Sequence, residues 1–167
     1  MPFTIRDFHK ADFETLWKID QSCFAPGISY SRFELAAYVS SAGSFTLVAE
    51  QDGAGGVAKA LLSAQETTAD IVGFVVARAS RGAGHIITID VLPKVQRTGV
   101  GSGLLRSAEA RLKQKQCTSV KLETSVDNKS ALSFYKRHHY FVIRTLPRYY
   151  PDGASAFVLR KDLLPDG

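Results

Sequence analysis

The stretch 85–105, HIITIDVLPKVQRTGVGSGLL, decides the fold, because it contains a strand, a glycine-rich turn and the start of a helix in that order. Its first part, up to Leu92, is almost entirely apolar or β-branched, which is typical of a strand covered on both faces. Apolar residues then recur at helical spacing, at Leu104, Leu105, Ala108 and Leu112. The stretch therefore predicts a helix that follows a central strand and packs back against its sheet.

Turn residues and apolar spacing predict the elements before this stretch. A strand around Phe3 leads to a helix that Asp12 would cap and that Pro26 would end. Ser31 would cap a second helix. Residues 51–70, rich in Gly, Ala and Thr, are predicted to form a long loop.

The same patterns predict the remaining elements. Strands are expected at 45–50, 71–79, 120–126, 140–146 and 154–163, and a helix at 128–138. The helix that begins near Leu104 would expose its charged residues: Arg106, Glu109, Arg111 and Lys113. The resulting order, β-α-α-β-β-β-α-β-α-β-β, predicts an α/β (α+β) fold. It is a mixed sheet with helices on both faces, in a single domain over 1–167.

The composition is that of an ordinary globular protein, with 45% hydrophobic and 22% charged residues. The net charge is +5, and the basic residues are scattered rather than clustered. This pattern favours a phosphate-rich small partner and predicts no direct binding of nucleic acid. Cys23 and Cys117 match no metal-ligand spacing, so buried thiols in a reducing compartment are expected, with no metal.

No signal-type segment and no apolar stretch of membrane-spanning length occurs in the sequence. We therefore expect a cytoplasmic protein without membrane contact. A monomer or a homodimer is compatible with this size and composition.

Glycines at 99, 101 and 103 lie between the central strand and its helix. Glycine lets the backbone approach a ligand closely, and the free amides of a helix N-terminus attract anions. Neither common nucleotide motif is present. The Gly-Lys-Ser/Thr of a P-loop is absent, and Gly103 comes one residue too early for a dinucleotide fingerprint. The turn predicts a site for another pyrophosphate.

The segment Gln96-Arg97-x-Gly99-x-Gly101 resembles motif A of the GNAT superfamily of N-acetyltransferases. The stretch 122–135, LETSVDNKSALSFY, is similar to the second signature of the family, in which a strand leads into an asparagine-capped helix that bears a tyrosine. The resemblance implies the GNAT fold, a mixed, mostly antiparallel sheet of six to seven strands. Arg148-Tyr149-Tyr150 and Ile5-Arg6 most resemble the branch that acetylates protein N-termini, including the bacterial enzyme that acts on a ribosomal protein.

The resemblance implies acetyl-CoA as co-substrate and assigns residues to it. The amides of the glycine turn would hold the pyrophosphate, Val91 and Leu92 would pair with the pantetheine arm, and Asn128 and Ser130 would contact the cofactor farther along. The turn residues implied are Gln96, Arg97, Thr98, Gly99, Val100, Gly101 and Ser102. Tyr135 would lie near the thioester sulfur.

The resemblance also implies the catalytic pair. Amine acetylation needs a proton acceptor for the amine and a proton donor for the departing thiolate. Glu123 would be the base, through a water molecule, and Tyr135 the acid. From the residues alone, Glu123 could equally be a solvated strand residue and Tyr135 a core aromatic.

Several further residues are candidates for the acceptor side. Tyr30, Tyr149 and Tyr150 would line the amine pocket, or would only pack loops together. Asp90 is unusual inside an apolar strand, and it would either pair with a basic residue or line the amine site.

One departure from the family pattern concerns the end of the tyrosine-bearing helix. The family usually has Gly-Phe where this chain has His139-Tyr140. Because histidine tolerates the left-handed conformation less well than glycine, we expect a locally different turn there. His138-His139 is interpreted as a helix end.

Three functional hypotheses follow from these patterns. The first is an acetyl-CoA-dependent N-acetyltransferase (acyltransferase) that acts on the α-amine of a protein or peptide N-terminus. The second is an acetyltransferase whose acceptor is a small amine. The third is a non-catalytic module that binds acyl-CoA.

Overall fold

The fold was analysed on a computed structural model, which describes residues 2–51 and 70–163. The predicted long loop at 51–70 lies outside the described residues, except that Gln51 and Asp70 belong to strands. The strands are β1 (Phe3–Asp7), β2 (Ser44–Gln51), β3 (Asp70–Ser80), β4 (Ala83–Val91), β5 (Ser119–Ser125), β6 (Phe141–Leu146) and β7 (Ala156–Asp162). The α-helices are α1 (Phe13–Cys23), α2 (Arg32–Ser40), α3 (Val100–Gln114) and α4 (Lys129–Arg137). Their order along the chain confirms the predicted one.

The seven strands form one sheet in the order β1-β2-β3-β4-β5-β7-β6. Every neighbouring pair is antiparallel except β4 and β5, which are parallel. The predicted mixed, mostly antiparallel sheet is confirmed. The parallel pair at its centre arises because α3 carries the chain from the end of β4 back to the start of β5.

Helices cover both faces of the sheet, as predicted. On one face, α1 and α2 bury Leu16 and Leu35 against Phe74 of β3. On the other face, α3 and α4 bury residues such as Leu104 against Val75, the neighbour of Phe74 in β3. Adjacent residues of one strand thus serve two cores, because successive side chains point to opposite faces.

Local signals account for the boundaries that the sequence predicted well. The Ser31 hydroxyl accepts the Glu34 amide at 3.1 Å, and the Glu34 carboxylate accepts the Ser31 amide at 3.0 Å, which is a complete capping box. Between β3 and β4, Arg81 and Gly82 have φ of 51° and 78°. Positive φ at both central residues is the geometry of a type I′ hairpin turn.

Two expectations about charged residues are wrong. Asp12 does not cap α1, because its carboxylate accepts hydrogen bonds from the Arg6 guanidinium at 2.9 and 3.0 Å. Glu109 is buried rather than exposed, and it accepts hydrogen bonds from the Tyr140 hydroxyl at 2.6 Å and from Lys161 at 2.8 Å. In both cases the partner lies on another element of the fold, and the hydrogen bond to it turns the side chain toward the interior.

The thiols follow the expectation in part. Cys117 is buried in the core, whereas Cys23 is only partly buried. Within the described part of the chain, no helix combines the length and the apolar character needed to cross a bilayer.

Candidate active site

The two parallel strands at the centre of the sheet separate along their length. β4 and β5 pair only from Ala83 to His85, opposite Ser119 to Lys121. Beyond that level β4 continues to Val91 and β5 to Ser125 without pairing to each other, while β5 stays paired with β7 throughout. The sheet is therefore open between the carboxyl ends of two parallel strands, the position at which α/β sheets commonly bind ligands.

The peptide groups of Val91 face this opening. The Leu92 amide donates to the Val72 carbonyl at 2.9 Å, toward β3. Because successive residues of a strand direct their peptide groups to alternate sides, those of Val91 point toward β5. The Val91 carbonyl accepts hydrogen bonds from Gln96 Nε2 at 3.1 Å and from Cys23 Sγ at 3.3 Å. The Val91 amide is positioned to meet an extended ligand in the opening.

The glycine turn above the opening leaves the first amides of α3 without a side-chain cap. Gly99 is the N-cap residue, with φ of 95°, and Arg97 has φ of 65°. A Cβ on Gly99 would meet nothing within 4 Å, so glycine is required there by the backbone conformation rather than by space. Uncapped amides at a helix N-terminus suit a pyrophosphate.

The neighbouring glycines have different roles. At Gly101 a Cβ would lie 3.5 Å from the ring of Phe134, an ordinary contact. At Gly103 a Cβ would come within 2.8 Å of the Phe3 ring, so glycine is needed there for packing of α3 against β1. Between the two, Ser102 Oγ lies 2.9 Å from His138 Nε2 at the end of α4. Burial lowers the pKa of His138, against an opposing contribution from Glu109.

Glu123 lies on β5, and the sequence analysis missed its partner. His85 Nε2 on β4 is 2.7 Å from Glu123 Oε2, and the Glu123 side chain is 15% exposed. An ionised carboxylate can only accept hydrogen bonds, so His85 is the donor. The sequence shows a histidine at the start of the predicted central strand. It does not show the strand register that brings this histidine next to Glu123.

Tyr135 is buried at 7% exposure in α4, where its ring packs edge-on against that of Tyr140 at 5.7 Å. Burial raises the pKa of Tyr135, and the charges of Asp90 and Tyr150 add to this effect. Tyr135 belongs to the core that α3 and α4 form on one face of the sheet. Its neutral form is strongly favoured at physiological pH.

The three candidate acceptor tyrosines are brought together. The rings of Tyr149 and Tyr150 pack edge-on, with their centres 4.9 Å apart. Burial raises the pKa of Tyr149, and Glu123 adds to this effect. For Tyr150 the pKa is raised by burial, then by Tyr149 and then by Glu123. Burial raises the pKa of Tyr150 to about 12. Burial also raises the pKa of Tyr30, with smaller contributions that include Tyr149. The geometry thus links the loop after α1, the β6–β7 connection and Glu123.

Asp90 does not pair with a basic residue. Its side chain is 1% exposed, and its Oδ1 accepts a hydrogen bond from the Thr88 hydroxyl at 2.6 Å. Its Oδ2 is buried without a hydrogen-bond partner, and burial, followed by the neighbouring Asp20 on α1, raises the pKa of Asp90. As it stands, Asp90 is too deeply buried to touch an acceptor directly.

The second signature forms the start and end of α4. The Asn128 side-chain oxygen accepts the Ala131 amide at 3.1 Å and so caps the helix, and Ser130 is exposed in its first turn. The helix ends at Arg137, one residue before the predicted end, and His138 is its C-cap residue, in agreement with the interpretation of His138-His139 as a helix end. His139 has φ of 72°, so the expectation of a different turn is wrong: histidine adopts the left-handed conformation that glycine would take. The described residues contain no group of three or more His, Cys, Asp or Glu that could hold a metal ion.

The model of the "Acetyltransferase (GNAT) family" matches residues 13–140. The chain belongs to the GNAT acetyltransferase family. The match includes the glycine turn, Glu123 and Tyr135, and thus the elements that line the opening.

Several proteins of known structure or sequence are similar to this chain. An N-alpha-acetyltransferase from Sulfurisphaera tokodaii is 28% identical, over 59% of this chain and 66% of that protein. The crystal structure of Ard1 from Thermoplasma volcanium is similar with a TM-score of 0.82 at 24% identity, covering 99% of this chain and 100% of that one. The ribosomal-protein-S18-alanine N-acetyltransferase from Escherichia coli is similar with a TM-score of 0.80 at 20% identity, covering 99% and 97%.

The two similar structures and the similar sequence support different conclusions about this chain. The two structures share the fold with this chain. The chain spans slightly less than two thirds of the length of the Sulfurisphaera relative.

Proposed function

We propose that this chain transfers the acetyl group of acetyl-CoA to the α-amine of a protein or peptide N-terminus. The observation that carries the proposal is the opening between β4 and β5. The uncapped N-terminus of α3 follows β4 at one end of it, and Glu123 and Tyr135 are two protonatable residues on the elements that flank it. The names of the similar N-alpha-acetyltransferases support the same class of acceptor.

The donor would be held by residues that fit its parts. The amides between Gln96 and Ser102 suit the pyrophosphate, because the turn is uncapped and Gly99 adopts a conformation that favours glycine. The Val91 amide faces the opening, where it suits an amide group of the pantetheine arm. Leu92, Asn128 and Ser130 are proposed to contact the cofactor on either side. The donor supplies the acetyl group as a thioester, which is an activated acyl group.

The proton transfers are proposed to use Glu123 and Tyr135. As the amine nitrogen bonds to the acetyl carbon and the carbon–sulfur bond breaks, the amine must lose a proton and the thiolate must gain one. Glu123 takes the amine proton through a water molecule, and His85 orients the carboxylate by donating to its other side. Tyr135 donates to the thiolate. Its raised pKa keeps the phenol protonated until the bond breaks.

The acceptor is proposed to enter from the side of the three tyrosines. Tyr30, Tyr149 and Tyr150 come from the two connections that flank the opening, and Glu123 acts electrostatically on the last two. Tyr149 is 48% exposed, so an aromatic surface is available for an extended peptide. Aromatic rings with a polar tip suit the mixed character of a peptide backbone.

A release assay tests this function. The protein is incubated with acetyl-CoA and a panel of peptides with different N-terminal residues, and free CoA is measured. A parallel panel contains small amines: a polyamine, an aminoglycoside and free amino acids. We expect release with peptides and not with the small amines. Release only with small amines would support the second hypothesis. A rise in melting temperature with CoA but no release in either panel would support the binding module.

A further inference from the structure

Two acidic side chains meet in the interior beside the candidate site. Asp20 projects from α1 and Asp90 from β4, and they are 0% and 1% exposed. Asp20 Oδ2 accepts the Tyr30 amide at 2.7 Å, and Asp90 Oδ1 accepts the Thr88 hydroxyl at 2.6 Å. If both groups are carboxylates, the other oxygen of each, Asp20 Oδ1 and Asp90 Oδ2, is buried without a hydrogen-bond partner.

A single proton removes this difficulty. A carboxylate only accepts hydrogen bonds, whereas a protonated carboxyl group also donates one. The contact of Cys23 Sγ on α1 with the Val91 carbonyl on β4, at 3.3 Å, holds the segments that carry the two carboxyl groups against each other, and a protonated Asp90 would be the donor to Asp20. One proton on Asp90 Oδ2 would therefore satisfy both remaining oxygens. Paired carboxyl groups that share one proton are known in proteins because two adjacent negative charges repel each other.

We propose that Asp20 and Asp90 form a carboxyl–carboxylate pair that shares one proton and fixes the loop between α1 and α2 against strand β4. Asp90 and Asp20 are then positioning residues for Tyr30, and they do not touch the acceptor themselves. The effect of the pair on acceptor binding rests on the proposed function. The existence of the shared proton does not depend on that function.

The loop is tied to the pair through Tyr30. The Tyr30 amide donates to Asp20, while its carbonyl accepts from Trp17 Nε1 at 3.1 Å and from Gln21 Nε2 at 2.7 Å. Its ring packs against that of Tyr38 at 5.1 Å. Separation of the two carboxyl groups would therefore move a peptide that is also bonded to Trp17.

The surroundings of the pair favour the shared proton. The titratable groups that face it are Cys23 on α1, Tyr30 in the loop, Glu34 on α2 and Tyr135 on α4. Each of these is neutral or negative, so none of them stabilises a second negative charge. Burial, and for Asp90 the adjacent Asp20, raise the pKa of both carboxyl groups, that of Asp90 to well above its ordinary value.

The pair makes the loop sensitive to alkaline pH. Because the pKa of the pair is raised in the folded state, its contribution to stability is complete at acidic pH, below the ordinary value of about 4. The contribution is lost as the pH rises through the raised pKa. The thiol of Cys23, with its pKa raised to about 12 by burial, ionises only at the alkaline extreme.

Substitution of Asp90 by Asn removes the titratable proton but keeps the hydrogen bonds that the side chain makes. The amide of Asp90→Asn can donate to Asp20 Oδ1 and accept from Thr88, but it does not ionise. Asp90→Ala removes both bonds. Asp162→Asn, an exposed aspartate on β7, is the matched control. Trp17 is the single tryptophan of the chain, so its fluorescence reports the Tyr30 segment without any need for activity.

The experiment follows Trp17 emission from about pH 5, just above the ordinary carboxyl pKa, to the highest pH at which circular dichroism shows the fold intact, in the wild type and the three variants. We expect an alkaline transition in the wild type and in Asp162→Asn, no such transition in Asp90→Asn, and altered emission of Asp90→Ala at every pH. A transition in Asp90→Asn that matches the wild type, or no transition in any protein, would overturn the proposal. Circular dichroism checks folding, and if Asp90→Ala does not fold, Asp20→Asn provides a second non-ionising comparison.

A kinetic readout links the pair to the acceptor. Above the transition, the KM for peptide should rise several-fold in the wild type but not in Asp90→Asn, while the KM for acetyl-CoA stays constant. If no peptide is acetylated but the fluorescence pattern holds, the proposed function fails and the carboxyl pair stands. If peptides are acetylated but the fluorescence of Asp90→Asn titrates like the wild type, the pair fails alone.

Discussion

His85 and Glu123 meet across the two parallel strands, with His85 Nε2 2.7 Å from Glu123 Oε2, just where β4 and β5 stop pairing. The histidine contacts one oxygen of the carboxylate. Because the Glu123 side chain is 15% exposed, the carboxylate remains accessible to water. This arrangement is what a base that acts through a water molecule requires.

Substitution of Glu123 should therefore reduce chemistry more than binding. We expect Glu123→Gln to lower kcat by about 10²- to 10⁴-fold, the usual contribution of a general base, with little change in KM. Glu14→Gln, at an exposed position on α1, is the matched control and should behave like the wild type. Steady-state kinetics check this, and a kcat of Glu123→Gln within about twofold of the wild type would exclude Glu123 as the base.

The role of His85 can be separated from that of Glu123. His85→Ala removes the donor to the carboxylate and should lower kcat, whereas His85→Gln retains an N–H donor and should recover part of the loss. The combined variant with Glu123→Gln should be no slower than Glu123→Gln alone, because both changes affect the same base. Additive losses in this double-mutant cycle would show that the two residues act independently.

Tyr135→Phe tests the acid. The ring is buried, and removal of its hydroxyl leaves the packing against Tyr140 in place, so the variant should fold normally. We expect kcat to fall by about 10²-fold or more, because the departing thiolate loses its proton donor. The melting temperature provides the control for folding. An unchanged kcat would mean that the thiolate is protonated by another group.

The glycine turn can be tested by CoA binding without catalysis. Gly99 has φ of 95° in an exposed loop, a conformation that costs an alanine about 1–2 kcal/mol. In the free Gly99→Ala variant the turn would relax to another conformation. Binding of CoA would have to restore the original conformation at that cost. Calorimetry should therefore show an affinity of Gly99→Ala for CoA about tenfold weaker. Gly27→Ala, at a glycine with φ of 92° where an added Cβ would also meet nothing within 4 Å, is the matched control outside the turn, and its affinity should be close to that of the wild type. Equal affinities for all three proteins would argue against this turn as the pyrophosphate site.

His139→Gly should stabilise the fold. His139 is exposed and holds φ of 72°, a conformation that costs a non-glycine residue about 1 kcal/mol or more. Part of the gain is offset by the greater flexibility of glycine in the unfolded chain, so we expect an increase of about 0.5–1 kcal/mol in the free energy of unfolding. Denaturant titration measures it, with His139→Ala expected to show no comparable gain. A destabilised glycine variant would mean that the histidine side chain makes a stabilising contact.

Sequence patterns predicted what depends on neighbours along the chain. Ser31 and Glu34 form their capping box within a single turn, and Arg81-Gly82 forms its hairpin turn from two residues. Such features need only local information. The order of strands and helices followed from them, and so did the position of the glycine turn at the start of α3.

Partners on other elements of the fold were not predictable in this way. Asp12 was expected to cap a helix, but it binds Arg6, and Glu109 was expected in water, but it binds Tyr140 and Lys161. Each choice depends on which strand lies beside which helix. The meeting of His85 with Glu123 likewise depends on the register of two strands separated by a whole helix.

The most direct test of the proposed function is to locate the acetyl group on a peptide product. A peptide with a free N-terminus and an internal lysine is incubated with acetyl-CoA and the protein, next to the same peptide with a blocked N-terminus, and both are analysed by tandem mass spectrometry. Our account predicts an acetyl group on the α-amine of the free peptide, none on the blocked one, and loss of the product with Glu123→Gln. Acetylation of the lysine in both peptides, or of neither peptide, would contradict it.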